Sequence, residues 1–450
     1  MPDRKSAREL IKEFAEGFTD LPLVDQAAAE TDGPIGWAGY DDARDRAAER
    51  TGERESVVCG TGDVGGVAAV LVVFEFGFLG GSLGRRTGDR IEAAFDYAIH
   101  YRLPVVTAVA TGGSRMQEGM AALSQLQRIA AAAARVRGAG LPHVAVLRDP
   151  TTGGGWATLG AGADVTLALP GAQVGFAGSR VRPAGDDSAA AAYTAESQFA
   201  GGHVDRLVSP EDLPGTLASW LRLLTAPRGG VPVPPRALGA GTEPMSGWAA
   251  VRAARTEQRP RAEAYLDDYF DHREGISGDR CGGGVDPGVA CGFGRRAGQV
   301  IAYAAQCGTA TTPAGFRTAA RLIRLADRLG IPVLTLVDTP GAANDAAAER
   351  AGIGGAIAEV FAAVASARVP VSTLVIGEGG SGGALAFAAP GRTWMTPDSY
   401  FSVTSPEAAA SILKRAPDEV PATADQLRLR PSDVVALGTA EGIVTPRTRS

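Results

Sequence analysis

Apolar, β-branched runs recur along the chain, each closed by glycines and followed by a stretch with helical spacing. The plainest is Val371–Ile376, which leads into Gly377, Gly379, Gly380, Gly382 and Gly383 and then into a small-residue helical pattern, Ala384–Ala389. This order predicts a buried strand, a glycine turn and a helix start. Backbone N–H groups at a helix start have no intrahelical partner, and glycines leave them open to an approaching negative oxygen. A second stretch of the same kind, His143–Leu159, lies upstream.

In chain order, the pattern predicts an amphipathic helix over Ala7–Phe18, then a loop to about residue 45 that Trp37 and Tyr40 pin to the body. Thr51–Phe76 predicts meandering strands. Gly80, Gly81 and Gly84 precede an amphipathic helix with Ile91, Ala94, Tyr97 and Ala98 on one face. From Pro104 the prediction is a strand, Gly112-Gly113, a helix over Met116–Arg137, the strand at His143, Gly153-Gly154-Gly155 and another helix. A strand pair within residues 164–178 follows. That alternation suits a parallel sheet with crossover helices. The Pro/Gly-rich stretch Thr225–Pro244 reads as a linker. The same programme then starts again from Ser246.

The two halves can be laid over one another. Leu103 (LPVVTAVATGG) pairs with Ile331 (IPVLTLVDTPG), Leu141 with Val369, and Gly154-Gly155 with Gly382-Gly383, all at one constant spacing. A repeat of this length predicts two homologous domains rather than a solenoid. The expected divisions are an N-terminal helix and loop (1–45), a first domain (46–225), the linker (226–245) and a second domain (246–450).

Each half supplies two strand-to-helix turns: Thr111–Arg115 and Thr152–Trp156, then Thr339–Ala343 and Gly380–Ala384. Backbone N–H groups from two such turns can converge on one oxygen and stabilise an enolate or urea oxyanion without a charged side chain. Glycines also serve tight strand–helix packing, but four turns in register favour the oxyanion reading. Glu118 follows the first turn, where it could assist a reaction or simply favour the helix start. Arg85 and Arg86 could meet the phosphates of a long cofactor or face solvent. The chain holds no G-x-S-x-G elbow, Walker A or H-E-x-x-H motif.

Composition narrows the classes. With 450 residues, about two or three domains are expected. The net charge is −6 and there is no basic stripe interleaved with aromatics, so no nucleic-acid partner is expected. The 4 cysteines form no CxxC pair, so no metal site is expected. A charged N-terminus and the lack of a long apolar run predict a cytoplasmic protein without a membrane span.

The motifs resemble a known family. Phe74–Gly84 (FEFGFLGGSLG), Thr111–Met120, Leu141–Gly154 and Val174–Val181 (VGFAGSRV) resemble the β subunit of bacterial acetyl-CoA carboxylase carboxyltransferase. Gly315–Ala342, Ile376–Ala386 and Ser402–Leu413 resemble its α subunit. The resemblance implies α/β architecture with two crotonase-like (ClpP/crotonase) β-β-α superhelical domains. It implies transfer of a carboxyl group from carboxybiotin, held on a separate carrier protein, to the α-carbon of an acyl-CoA. The partners would be a biotin carboxyl carrier protein and a biotin carboxylase, and the assembly a homodimer or higher homo-oligomer. It puts the thioester oxygen at the amides of Gly112, Gly113, Gly153 and Gly154, and the biotin urea oxygen around Gly341, Gly382 and Gly383. Gly80, Gly81, Arg85, Arg86, Ala342, Gly379 and Gly380 would contact the bound cofactors. The chain departs from the family where no cysteine precedes Cys59, at Gln306-Cys307-Gly308 and at Ala343-Asn344-Asp345. Two other readings stay open: a biotin-independent decarboxylase or acyltransferase acting on a malonyl-type thioester, as in related malonate decarboxylase subunits, and a non-catalytic scaffold subunit.

Overall fold

The computed structural model describes residues 5–22, 30–178, 181, 191–227 and 229–447. Ser179 and Arg180 of the VGFAGSRV motif lie outside the described residues. The chain divides into two compact units, Met1–Thr225 and Ala226–Ser450.

In the first unit the strands are β1 (Glu16–Asp20), β2 (Val57–Asp63), β3 (Ala68–Phe74), β4 (Val105–Thr111), β5 (His143–Thr152), β6 (Val165–Ala168), β7 (Val174–Gly175) and β8 (Arg206–Leu207). They form one sheet in the order β1-β2-β3-β4-β5-β6-β8, with β7 on the end of β5. β1, β2 and β3 pair antiparallel, and β3 onward is parallel. The parallel pairs are joined by crossover helices such as Arg85–Tyr101, whose Ile91, Ala94, Phe95 and Ala98 pack on the sheet. Every residue of β4 is buried, as expected of a central strand covered on both faces.

Four expectations need correction here. The first helix stops at Phe14, and β1 begins two residues later. Phe18 faces β2, lying over Gly60, so the N-terminal segment is an edge of the sheet rather than a separate piece. The helix Tyr40–Thr51 runs straight through the expected boundary at residue 45; Tyr40 is buried while Trp37 is half exposed. The helix expected over Met116–Arg137 is broken at Gly119 and Ser124 into Met120–Leu123 and Gln125–Gly138. β6 and β7 do not pair with each other; each pairs with a different part of β5.

The second unit repeats the plan with β9 (His272–Ile276), β10 (Val289–Arg296), β11 (Gln299–Gln306), β12 (Val333–Thr339), β13 (Val371–Gly380), β14 (Thr393–Met395), β15 (Tyr400–Ser402) and β16 (Gly442–Ile443). Their order is β16-β14-β13-β12-β11-β10-β9, with β15 on the end of β13, which is the first sheet element for element. The register break between Val109 and Thr111 recurs between Val337 and Thr339. The helices Arg85–Tyr101 and Pro313–Leu329 are both 17 residues long.

The Pro/Gly-rich stretch is a strap on this unit rather than a free linker. Ala237 bridges Pro446, Leu238 N–H donates to Tyr265 Oη (3.1 Å), and Tyr269 Oη donates to the Val233 carbonyl (2.7 Å). Tyrosine hydroxyls thus satisfy a backbone that its prolines keep out of regular structure.

Candidate active site

In the first unit β4 ends at Thr111, and its hydroxyl accepts the Gly113 N–H (3.0 Å). Gly113 has φ +109°, a conformation that needs glycine. Its carbonyl accepts the Leu83 N–H (2.8 Å), and the Leu83 carbonyl accepts the Arg115 N–H (2.9 Å). The second turn, at the end of β5, lies against the first: a Cβ on Gly153 would sit 3.2 Å from Gly113 Cα.

This geometry revises the expected donors. The Gly112 N–H is bonded to the Gly80 carbonyl (2.9 Å), that of Gly113 to Thr111, and that of Gly153 to the Phe176 carbonyl (3.0 Å). These three are committed to holding the turn. Among the described residues the Ser114 N–H has no acceptor, and Gly154 stands in a helix's first turn where no intrahelical carbonyl is within reach. Sequence reasoning missed Ser114, because nothing in its residue type marks an open amide. Gly81 is packed against the Ala110 carbonyl and the Gly80 carbonyl holds the Gly112 N–H, so both shape the turn. Arg85 is exposed, 3.9 Å from Glu30, and Arg86 is half-buried.

The second unit builds the same pair. Gly341 has φ +143° and donates its N–H to Thr339 Oγ1 (3.1 Å). Its carbonyl accepts the Thr311 N–H (3.1 Å), and the Thr311 carbonyl accepts the Ala343 N–H (2.8 Å). Ala342, in the place of Ser114, is left with an N–H that has no acceptor among the described residues. A Cβ on Gly383 would lie 2.5 Å from the Ala342 nitrogen, so only glycine lets these backbones meet. Gly382 is exposed and a Cβ there would meet open space. Gly379 and Gly380 are buried within β13, paired with Phe401 and Ser402 of β15, and so support the turn from inside. The open pair in this unit is therefore Ala342 with the N-terminal amides of the helix Ser381–Leu385, where Gly382 stands.

Residues 34–202 match the family model described as carboxyl transferase domain, and residues 240–449 match that of acetyl co-enzyme A carboxylase carboxyltransferase-like proteins. The acetyl-coenzyme A carboxylase carboxyl transferase subunits beta/alpha of Salinispora arenicola is 39% identical, over 95% of this chain and 79% of that protein. This chain belongs to the acetyl-CoA carboxylase carboxyltransferase family. A probable biotin-dependent acyl-coenzyme A carboxylase beta3 subunit of Mycobacterium bovis is 34% identical, over 89% of this chain and 82% of that protein. The fold is that of transcarboxylase 12S, with TM-score 0.80 at 20% identity over 98% of this chain and 87% of that one. The two sheets are thus two crotonase-like domains.

Within this family member each turn is backed by buried charge. Arg115 is fully buried; it pairs with Glu55 and Glu118 and bonds Tyr40 Oη (3.1 Å), Ser82 Oγ (3.1 Å) and the Ser82 carbonyl (2.8 Å). Glu118 also accepts from Tyr40 and from the Arg85 N–H (2.5 Å). It is therefore a brace between the turn and a helix start, not an exposed acid. Burial alone would raise the Glu55 carboxyl, but the Arg115 guanidinium outweighs it and holds Glu55 at about 2. In the second unit Asp338, just before Thr339, is fully buried between Arg259 and Arg261 and accepts the Glu378 N–H (3.1 Å). Among the described residues there is no group of side chains that could hold a metal ion, and no helix is long and apolar enough to cross a membrane.

Proposed function

We propose that the chain moves a carboxyl group from carboxybiotin to the α-carbon of an acyl-CoA, of the acetyl-CoA to malonyl-CoA type. The observation that carries this reading is the duplicated turn pair, with one uncommitted N–H in the same place at Ser114 and at Ala342. Membership of the carboxyltransferase family supports the reaction class.

Carboxybiotin supplies the carboxyl group: its N–C bond breaks, a C–C bond forms at the acyl α-carbon, and the α-proton passes to the biotin nitrogen. In the first unit the Ser114 and Gly154 amides would face a thioester oxygen as negative charge grows on it. In the second, the Ala342 and Gly382 amides would face the urea oxygen. The urea oxygen would gain negative charge as the N–C bond breaks, and the open turn at Gly382 leaves N–H donors free to meet it. Each such donor is worth ~3 kcal/mol of barrier. The threonine hydroxyls of Thr111 and Thr339 hold the turns, so the donors need little reorganisation as charge develops. Biotin would arrive on a separate carrier protein, with a biotin carboxylase loading it, and the chain would act as a homo-oligomer. Malonyl-CoA formation from acetyl-CoA and carboxybiotin tests the proposal; no transfer by the folded chain would refute it.

A further inference from the structure

Gln306, the last residue of β11, is fully buried. Its Nε2 donates to Thr311 Oγ1 (3.1 Å) and to the Gly383 carbonyl (3.0 Å). Those two partners belong to different turns. The Thr311 backbone brackets Ala342 through its bonds with Gly341 and Ala343, while Gly383 is in the helix turn that starts after Gly380. One carboxamide thus spans the two pieces of backbone that carry the open N–H groups.

The first unit makes the same junction without it. β3 pairs Val70 with Val105, and β11 pairs Ala302 with Val333, which puts Phe74 in the place of Gln306. The matching bridges Leu83–Ser114 and Thr311–Ala342 put Leu83 in the place of Thr311. Phe74 and Leu83 are both fully buried. The fold therefore accepts an apolar pair here. The second unit instead buries an amide whose Oε1 has no partner among the described residues, at a cost in stability. A polar group kept where an apolar one packs is explained by what its two hydrogen bonds do.

We infer that Gln306 is a positioning residue that sets the spacing between the Ala342 and Gly382 amides. The inference rests on the reading of these turns as the site for the urea oxygen. Misplacing such donors by about an ångström costs on the order of 100-fold in rate.

The test uses the full chain with malonyl-CoA as carboxyl donor and free biotin as acceptor, following kcat, both KM values and the melting temperature. Gln306→Met keeps the volume and removes both bonds. It should lower kcat about 10- to 100-fold, with the KM for malonyl-CoA kept and the melting temperature equal to or above the parent's. Thr311→Val, which removes one end of the bridge, should lower kcat by less. Combined with Gln306→Met it should add nothing further. A folded Gln306→Met with the parent's kcat overturns the inference; if that variant does not fold, a parent-like kcat in Thr311→Val overturns it. Gly382→Val separates the two levels. Parent-like rates in Gly382→Val mean the turns are not the site. A slow Gly382→Val beside a parent-like Gln306→Met removes the role of Gln306 alone.

Discussion

Gly113 and Gly341 occupy one place in two copies of a fold: each has positive φ, and each donates its N–H to the hydroxyl of a threonine two residues earlier, at 3.0 and 3.1 Å. The bond turns the glycine amide inward and leaves the next residue's amide, at Ser114 or Ala342, without an acceptor among the described residues. Removing that pin frees a second N–H and loosens the turn. Thr339→Val should therefore lower kcat for carboxyl transfer about tenfold or more, and it should also cost about 1–3 kcal/mol of stability, because the same buried hydroxyl reaches the Thr309 and Gly341 carbonyls. Steady-state kinetics beside a melting curve checks it; an unchanged kcat would count against the pin.

Glycine substitutions in the second unit should split by position. Gly382 is exposed, is not in the left-handed region, and a Cβ there meets open space. Gly382→Val should fold and lower kcat by about 100-fold, the scale of a lost oxyanion donor. Gly383→Val drives its side chain into the Ala342 backbone, so it should disturb the fold as well as the rate. Circular dichroism on both variants distinguishes a blocked site from a broken turn. If both fold and both keep the parent's rate, the second-unit site is wrongly placed.

Much of this was legible in the residues. Constant spacing from Leu103 to Ile331 and from Gly154 to Gly382 reports a duplicated strand–turn–helix unit, and the sheets repeat element for element. The glycines also mark where backbones touch. What they do not mark is which N–H stays open. That depends on remote acceptors: the Gly80 and Phe176 carbonyls take up Gly112 and Gly153. β1 was hidden because Glu16–Asp20 carries one large apolar residue, Phe18, which gives no period. Ala237 was hidden because Pro/Gly composition describes a loose linker and a docked strap equally well.

The buried Arg115 cluster should govern acid stability. Folding holds the Glu55 carboxyl at about 2, against an ordinary 4.5. A depressed carboxylate contributes stability above its unfolded pKa and loses it as pH falls through the folded one. The contribution should thus be complete above about pH 4.5 and disappear towards about pH 2. Urea midpoints measured across that window should fall more steeply for the parent than for Glu55→Gln. Arg115→Met, which strands two buried carboxylates, should cost about 3–5 kcal/mol at neutral pH. Equal pH slopes for parent and Glu55→Gln would rule out this role.

Thiol chemistry should single out one cysteine. Cys281 is exposed, whereas burial pushes the Cys59 thiol up to about 12 and the Cys307 thiol up to about 11, and Cys291 is buried and also raised. A thiol-specific reagent at neutral pH should modify Cys281 quickly, the half-buried Cys59 and Cys307 slowly, and the buried Cys291 only on unfolding. Peptide mapping after brief labelling reads this directly. Rapid labelling of Cys307 would show that the β11 end is open in solution.

The central claim is that two turn pairs serve two oxygens in one carboxyl transfer. Product analysis of the full chain tests it most directly: acetyl-CoA with carboxybiotin in one reaction, malonyl-CoA alone in another. Malonyl-CoA should form in the first, with rates that fall in Gly382→Val, and malonyl-CoA alone should stay intact. Loss of CO₂ from malonyl-CoA without biotin, together with no product from carboxybiotin, would contradict the account and leave a biotin-independent decarboxylase in its place.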